Sequence, residues 1–336
     1  MEPWSPPRGR ASRWHLCACA LSVASTVTGS AAAEPSKLPP EAGYQRGEIE
    51  TGRTGALGGA TRAIGADISG HFSNPANVAA SRVYHLGALA IIAPEARRQS
   101  YGAAMSDSVT NSRGIAGAIS GVYTAQDSGG LSRKATDARF TLAFPMSDKL
   151  FVGVTGKYLK LRQDGLGPLG QSFASGGRKN EAIVNGFTFD AGLSAHPVDM
   201  LWIGLVGTNL TATGDGYRPL GASGGVGLGT RTFNLEGDVA ADFTTYGRTT
   251  LRYMGGAELL AADSFALRGG YRFDDGDKSH SGSLGFGYVD PAFSLELSLR
   301  RTFSPYTSTM LFVGVTYFLE STGLTRAPNE IPVGGD

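Results

Sequence analysis

The stretch AFSLELSLRR, residues 292–301, decides the fold because apolar and polar side chains alternate along it. On one side of an extended backbone lie four apolar residues, Phe293, Leu295, Leu297 and Leu299. The residues between them are serine, glutamate and arginine. A strand of this kind needs an apolar medium on one face and water or polar protein on the other, which either a soluble sandwich or a membrane barrel supplies.

The composition favours a barrel over a bundle of membrane helices. The 336 residues carry 30 basic and 29 acidic side chains, for a formal charge of +1, and 49 residues are glycine. Mean hydropathy is −0.09, as expected where oily and polar residues alternate, whereas membrane helices would make the chain far more hydrophobic. The charge balance gives no electrostatic reason to expect a nucleic acid as a partner.

Residues 1–33 have the features of a secretory signal peptide. Arginines precede a short apolar core at 16–27, and Ala31-Ala32-Ala33 offers a cleavage site of small residues. Both cysteines, Cys17 and Cys19, lie in this signal, which leaves the mature chain no thiol for a disulfide or a metal. No run of 18 apolar residues follows. An exported chain of this kind is either soluble outside the inner membrane or inserted in an outer membrane as a closed sheet.

Two segments precede the alternating part of the chain. Residues 34–52 are polar and rich in proline and glycine, and they are predicted to form a linker. Residues 53–81 are rich in alanine and glycine and lack a period of two. A short helix over 59–66 is predicted, with Asn74-Pro75 marking a turn after it.

Motifs in two places resemble a known family. The first set is Gly58-Gly59-Ala60, Ala63, Ala66-Asp67 and Asn74-Pro75-Ala76, and the second is Gly204-Leu205-Val206-Gly207-Thr208-Asn209-Leu210. The first resembles the N-terminal segment of the long-chain fatty-acid transporter (FadL) superfamily of outer-membrane proteins, and both are similar to its PorV-like branch. The resemblance implies that residues 53–81 form a small hatch inside a barrel. The residues expected to position this hatch are Arg53, Asp67, Asn74 and Pro75.

From Tyr84 to Leu319 the chain divides into about fourteen extended segments. They are 84–93, 98–106, 113–125, 134–145, 149–162, 182–196, 199–211, 218–230, 232–244, 248–261, 264–274, 279–290, 292–303 and 308–319. Many exceed the length of a soluble strand, about five or six residues, and suit the roughly nine to eleven residues that cross a bilayer at a tilt. The predicted fold is therefore all-β: an antiparallel, up-and-down transmembrane barrel with the hatch inside it.

The connections and the last strand support a barrel. Short and longer connections alternate, as up-and-down membrane barrels require, although 107–112 is somewhat long for a turn. The segment Leu311–Leu319 resembles the C-terminal recognition strand of outer-membrane barrels, but Phe312 stands where a polar residue is usual, and a polar tail, 320–336, follows.

If the apolar faces meet lipid, the charged faces line the lumen. An outward Arg or Lys at the bilayer midplane would cost about 2 to 4 kcal/mol. The acids within 232–244 are expected to form cross-strand ion pairs with the bases of 248–261 and 264–274, holding the wall and anchoring the hatch. The predicted lumen-lining charges are Asp137, Arg139, Lys157, Asp190, Glu236, Asp238, Arg252, Glu258, Arg268, Arg272, Glu296 and Arg300.

The sequence contains no convincing catalytic motif. We therefore expect that the protein is not an enzyme and that it binds neither a cofactor nor a metal. The serines near His280 do not share its strand face, and His71 is interpreted as a contact of the hatch. The acidic turn 274–277 is interpreted as an external turn, with calcium binding as the alternative.

The resemblance implies uptake of hydrophobic small molecules, such as fatty acids, across a bacterial outer membrane. The expected partners are outer-membrane lipid and a hydrophobic ligand. Two alternatives remain open: a PorV-like accessory barrel that docks secreted or other proteins, and a general diffusion porin.

Overall fold

The computed structural model describes residues 47–111, 114–127, 132–163, 182–211, 217–230 and 232–319. Of Asp67, Ala182 and Ile183 only the backbone is described. The predicted signal peptide, most of the predicted linker and the tail 320–336 lie outside these ranges. No helix in the described ranges is long and apolar enough to cross a membrane.

The chain forms a closed barrel of fourteen antiparallel strands, which confirms the predicted fold. The strands are β1 Tyr84–Ala93, β2 Arg98–Asp107, β3 Ala116–Gln126, β4 Arg133–Ser147, β5 Leu150–Gln163, β6 Ala182–Val198, β7 Leu201–Thr208, β8 Gly221–Gly229, β9 Phe233–Asp242, β10 Thr250–Ala261, β11 Phe265–Asp274, β12 Ser279–Val289, β13 Phe293–Ser304 and β14 Ser308–Phe318. Each predicted segment overlaps one strand. The predicted first residues differ most from the observed ones at β3, predicted from 113 and observed from 116, and at β8, predicted from 218 and observed from 221.

Closure takes place between the first and last strands. Leu89 of β1 lies opposite Gly102 of β2 on one side and opposite Gly314 of β14 on the other. All other strands pair with their neighbours in chain order. The sheet therefore has no free edge, and it is not the pair of stacked sheets that a soluble sandwich would form.

The alternation in the sequence separates an apolar exterior from a polar interior. On β13, Leu295, Leu297 and Leu299 are 37%, 52% and 45% exposed, whereas the intervening Ser298 and Arg300 are each 3% exposed. The same alternation recurs around the barrel, where outward Phe140, Phe187 and Leu284 are among the most exposed large side chains. Such a surface is stable against hydrocarbon, since every backbone group of a closed sheet is paired.

The connections differ between the two ends of the barrel. At one end, here called the turn end, residues 148–149, 199–200, 230–232, 262–264 and 290–292 join pairs of strands. The other end, the loop end, has the long connections 164–181 and 209–220. The connection 108–115 is longer than the other turns of its end, as the sequence indicated.

Residues 47–81, here called the inner segment, lie inside the barrel. They contain helix α1 Gly52–Ala56, helix α2 Asp67–Ser73 and a 3-10 helix, Pro75–Ala79. Helix α1 packs on β11–β14, α2 on β1–β3 and the 3-10 helix on β3–β6, so the segment touches the wall on several sides. It also begins earlier than predicted, since Glu48, Ile49 and Glu50, which the sequence analysis assigned to a linker, pack here.

The predicted helix over 59–66 is wrong, because those residues form turns and extended backbone. Gly58 and Gly59 have φ values of 68° and 95°, which end the preceding helix. The N–H groups of residues 61–64 donate to carboxyl groups of β9 and not to backbone carbonyls, as described below.

Candidate functional site: the lumen and its inner segment

Glu50 connects the inner segment to two arginines of the wall. Its carboxylate accepts hydrogen bonds from both terminal nitrogens of Arg300 on β13, at 2.7 and 3.0 Å, and it also binds Arg272 on β11. Arg272 Nε donates to the carbonyl of Gly58 at 2.8 Å. Burial alone would raise the pKa of Glu50, but Arg272 and Arg300 outweigh it and hold that pKa below its ordinary value. The Glu50 carboxylate is therefore charged in the folded protein at neutral pH.

Two carboxylates of β9 bind the backbone of the inner segment. Asp238 Oδ2 accepts hydrogen bonds from the N–H groups of Thr61 and Arg62, at 3.0 and 3.1 Å. Glu236 accepts from the next two N–H groups, those of Ala63 at 2.5 Å and Ile64 at 3.2 Å. Four consecutive donors are thus satisfied by side chains of the wall, which explains why this stretch does not need helical hydrogen bonds.

Arg53 forms the third connection. Its guanidinium binds both oxygens of Glu258 at 3.0 Å, and its backbone N–H donates to Glu296 at 3.0 Å. Arg268 on β11 also contacts both acids, at 2.5 Å and 3.0 Å. Burial lowers the pKa of Arg53, but Glu258 outweighs this effect and the pKa lies above its ordinary value. Arg53 therefore stays charged inside the barrel.

Asn74 and Pro75 seat the end of α2 against β5 and β6. Asn74 Nδ2 donates to the carbonyls of Arg62, at 2.8 Å, and Leu193, at 3.1 Å, while its Oδ1 accepts from Ala76 N–H at 3.1 Å. Pro75 lies against Gly153. The fourth residue predicted to position the hatch, Asp67, begins α2, and its side chain lies outside the described residues.

Glycines of the wall allow the inner segment to approach the strand backbone closely. A Cβ on Gly270 would lie 2.3 Å from the backbone of Leu57 and Gly58, and one on Gly204 would lie 2.0 Å from the carbonyl of Arg62. The wall glycines whose Cβ would lie within 3 Å of the inner segment are Gly87, Gly153, Gly192, Gly204, Gly227, Gly256, Gly270 and Gly285. Part of the high glycine content therefore serves to seat this segment.

Several predicted lumen charges pair with each other in the wall. Glu258 lies directly opposite Arg268, and Arg252 directly opposite Asp274, with the latter pair at 3.0 Å. Lys157 and Asp190 are 2.7 Å apart, and Arg139 binds Asp137 two residues away on its own strand.

The expected partners of the acids on β9 differ from those observed. The residues opposite Glu236 and Asp238 on β10 are Gly256 and Met254, which offer no charge. Both acids therefore bind the inner segment instead. Arg62 of that segment reaches Asp238 at 3.3 Å and also contacts Glu48 at 3.5 Å.

A cavity opens between the inner segment and the loop end, with about 1020 Å³ of space including its mouth. Charged residues from both the segment and the wall line it, among them Glu48, Arg62, Asp190 and Arg252. A second, smaller cavity lies on the other side of the inner segment, against β1, β13 and β14. Arg53, Ile68 and Leu89 line the second cavity.

An apolar cluster in the lumen contributes residues to the lining of both cavities. Ile49 and Phe72 line the first cavity and Leu89 lines the second, and all three belong to one cluster with wall residues that include Ile91 and Phe312. We call this cluster the apolar track; its other members are Ala93, Ala96, Val122 and Met310. Phe312, unusual for its position in the last strand, is 1% exposed and faces the lumen. The track runs through an interior that is otherwise rich in charge.

His71 fixes α2 to strands β3 and β4 of the wall. Its two ring nitrogens contact Thr141 Oγ1 and Ser120 Oγ, each at 2.8 Å, and Thr141 continues to Thr155 at 2.6 Å. Burial, with a smaller contribution from Arg139, lowers the pKa of His71 to about 3. The imidazole is therefore neutral, donating one hydrogen bond and accepting the other.

Three residues of the site were missed by sequence reasoning: Glu48, Glu50 and Arg62. The segment Glu48-Ile49-Glu50 has the alternation of a strand, with Ile49 on the apolar track and the two acids on wall arginines. This short alternation was the available signal, but the glycine and proline around it indicated a linker.

The geometry defines a class: a closed fourteen-stranded barrel with an apolar exterior and a chain segment held across its lumen. No family model and no curated protein matches the sequence. Solved structures do match its fold. The CymD monoaromatic hydrocarbon channel matches with a TM-score of 0.58 and 14% identity over 80% of this chain and 97% of that chain. The Pseudomonas putida toluene transporter TodX matches with a TM-score of 0.59 and 12% identity over 81% of this chain and 98% of that chain. A Pseudomonas aeruginosa FadL homologue matches with a TM-score of 0.56 and 14% identity over 80% of this chain and 98% of that chain. The chain therefore has the fold of FadL-like outer-membrane barrels.

Proposed function

We propose that this protein lies in a bacterial outer membrane and passes hydrophobic small molecules through its lumen. The observation that carries the proposal is the apolar track, which contributes Ile49 and Phe72 to the lining of the loop-end cavity and Leu89 to that of the second cavity. A diffusion porin has a polar lumen, so an inward cluster of Ile91, Phe312 and Leu89 has no use there. The hydrocarbon and toluene transporters with the same fold support this reading.

Ligand would enter the loop-end cavity and move along Ile49 and Phe72 towards Leu89. The inner segment acts as the hatch in this proposal, since it separates the two cavities and its ion pairs hold it across the route. Fatty acids and aromatic hydrocarbons are the two substrate classes to compare. Both bury apolar surface on the track, and only the first carries a carboxylate to the charged cavity.

Uptake by whole cells tests the proposal. Labelled oleate and labelled toluene are supplied to a host that lacks its own transporters and expresses the full chain. Leu89→Asn places an amide on the track, whereas Leu161→Asn makes the same change at a buried, lumen-facing leucine outside it. We expect uptake above the empty host for at least one substrate, lost in Leu89→Asn and retained in Leu161→Asn at equal barrel content. Uptake equal to that of the empty host contradicts the proposal.

The same preparation separates the two alternatives. A general diffusion porin would conduct ions steadily in a planar bilayer, while a barrel crossed by the inner segment conducts little. An accessory barrel would retain a stable protein partner after solubilisation and would take up neither substrate.

A further inference from the structure

Three basic side chains form a cluster on the outward face of β4 and β5, near the loop end. Lys134 lies directly opposite Arg162, and Lys160 lies one outward position further along β5, opposite Thr136. Lys134 and Arg162 are exposed, and Lys160 is half-buried. We call these three residues the basic cluster. Because they alternate with inward residues such as Ala135 and Leu161, they point away from the lumen.

The basic cluster is unusual because like charges oppose each other across two strands. Such a pair is destabilising unless a counter-charge lies between its members. Within the described ranges, none of the three side chains has a salt bridge or a hydrogen bond. Three other basic residues at the loop end are paired with acids: Arg248 binds Asp275 at 3.1 Å, Lys278 binds the same acid, and Arg301 binds Glu95 at 3.0 Å.

An apolar platform lies directly below the basic cluster. Tyr158 is the next outward residue of β5, and its ring packs on Phe187 with centroids 5.0 Å apart. Phe187 is 70% exposed, and Phe140 and Phe189 beside it are 53% and 46% exposed. Tyr158 also donates a hydrogen bond to Asn185 at 2.6 Å, which holds a polar rim above the aromatic rings. Acyl chains would pack on this platform while a headgroup stays at the level of the cluster.

The turn end of the barrel carries several acids. Four of the turn-end connections contain an exposed or half-buried aspartate, namely Asp148, Asp199, Asp263 and Asp290. The basic cluster lies at the opposite, loop end of β4 and β5, so only the leaflet at that end can contact it. A leaflet rich in phosphate would attract the basic cluster.

We propose that the basic cluster and its aromatic platform bind a phosphate-bearing, multiply acylated lipid of the leaflet at the loop end. Lys134, Lys160 and Arg162 hold the phosphate oxygens, and the acyl chains lie on Phe187, Phe140 and Phe189. The bound phosphate lies between the opposed charges of Lys134 and Arg162 and removes their repulsion. This site is on the outer surface, and its occupation does not depend on what passes through the lumen.

Native mass spectrometry of the full chain in neutral detergent micelles tests the proposal. The protein is titrated with lipid A, a bisphosphorylated and acylated disaccharide, with phosphatidylcholine, and with inorganic phosphate. We expect lipid A to bind, phosphatidylcholine to bind much more weakly because it has no net charge, and inorganic phosphate to bind much more weakly because it has no acyl chains. Inorganic phosphate binding as tightly as lipid A would overturn the lipid assignment and leave a simple anion site.

Variants locate the site. The triple variant K134Q/K160Q/R162Q is expected to bind lipid A roughly a hundredfold more weakly, since each surface charge contributes about fivefold. The matched triple variant R248Q/K278Q/R301Q loses the same charge at the same end, but from residues already paired with acids, and should bind within about threefold of the wild type. Equal losses in the two variants, or no loss in the first, would overturn the proposal.

Salt supplies a test that needs no variant: lipid A binding by the wild type should weaken as salt rises, and salt-independent binding contradicts the assignment.

Discussion

Glu50 of the inner segment binds Arg300 of β13 through two hydrogen bonds, at 2.7 and 3.0 Å, and both side chains are almost fully buried. A buried pair of this kind contributes little net stability when intact, but removal of one partner leaves a charge in a medium that does not solvate it. Removal of Glu50 would leave two buried arginines, Arg272 and Arg300, without this carboxylate, whereas removal of one arginine would leave Glu50 with the other.

Glu50→Gln is therefore expected to lower the free energy of unfolding by about 3 to 5 kcal/mol. Equilibrium unfolding in urea, followed by tryptophan fluorescence in lipid vesicles, measures the change. The control is Glu95→Gln, which removes the same charge from a solvent-exposed pair with Arg301 and should cost at most about 1 kcal/mol. Similar costs for the two variants would show that Glu50 does not hold the segment to the wall.

The strands could be predicted from the sequence because each one carries its own signal. The alternation of Leu295, Leu297 and Leu299 with polar residues needs no knowledge of any other part of the chain. The barrel then follows from the number, length and spacing of such segments.

The inner segment could be predicted only in part, because its conformation depends on distant residues. Nothing near 61–64 indicates that four of its N–H groups bind Glu236 and Asp238, more than 170 residues away. A local reading therefore assigned a helix there. The role of Phe312 is non-local in the same way, since its lumen-facing position makes sense only beside Ile49 and Ile91.

The close approach at Gly270 predicts a second effect. Gly270→Ala would place a methyl group 2.3 Å from the backbone of the inner segment, so the segment must shift, at a cost of about 1 to 3 kcal/mol. Gly237→Ala is the matched control, because Gly237 is also a strand residue and a Cβ there meets no atom within 4 Å. That change should be neutral or slightly stabilising. Unfolding in urea measures both, and equal costs would argue against close packing at Gly270.

His71 predicts the dependence of stability on pH. Its pKa is about 3 in the folded protein, against an ordinary value of 6.5. The unfolded chain therefore binds a proton at His71 first, and the folded state loses stability as pH falls from 6.5 towards 3, by about 1.4 kcal/mol per pH unit. His71→Gln removes this contribution, so the unfolding free energy of the variant should depend less on pH between 6.5 and 5 than that of the wild type. Above pH 7 the unfolding free energies of the two proteins should change with pH in the same way. An unchanged slope in the variant would contradict a buried, neutral His71.

The last prediction concerns whether the inner segment blocks the lumen. The double variant E236Q/D238N replaces with amides both acids that accept the N–H groups of residues 61–64, while the barrel wall keeps all its strand pairing. Because charged acceptors bind N–H groups more strongly than amides do, this loop should detach part of the time and open the lumen. We expect the wild type to conduct little in planar bilayers and the variant to show brief openings, with the heat-dependent gel mobility of a folded barrel unchanged. The control variant D275N/D277N also changes two acids to amides, but in the loop-end connection 275–278, and should remain closed. A double variant as closed as the wild type would mean that the other attachments, at Arg53 and Glu50, suffice to hold the segment, and steady conduction by the wild type would mean that the segment leaves a permanent pore.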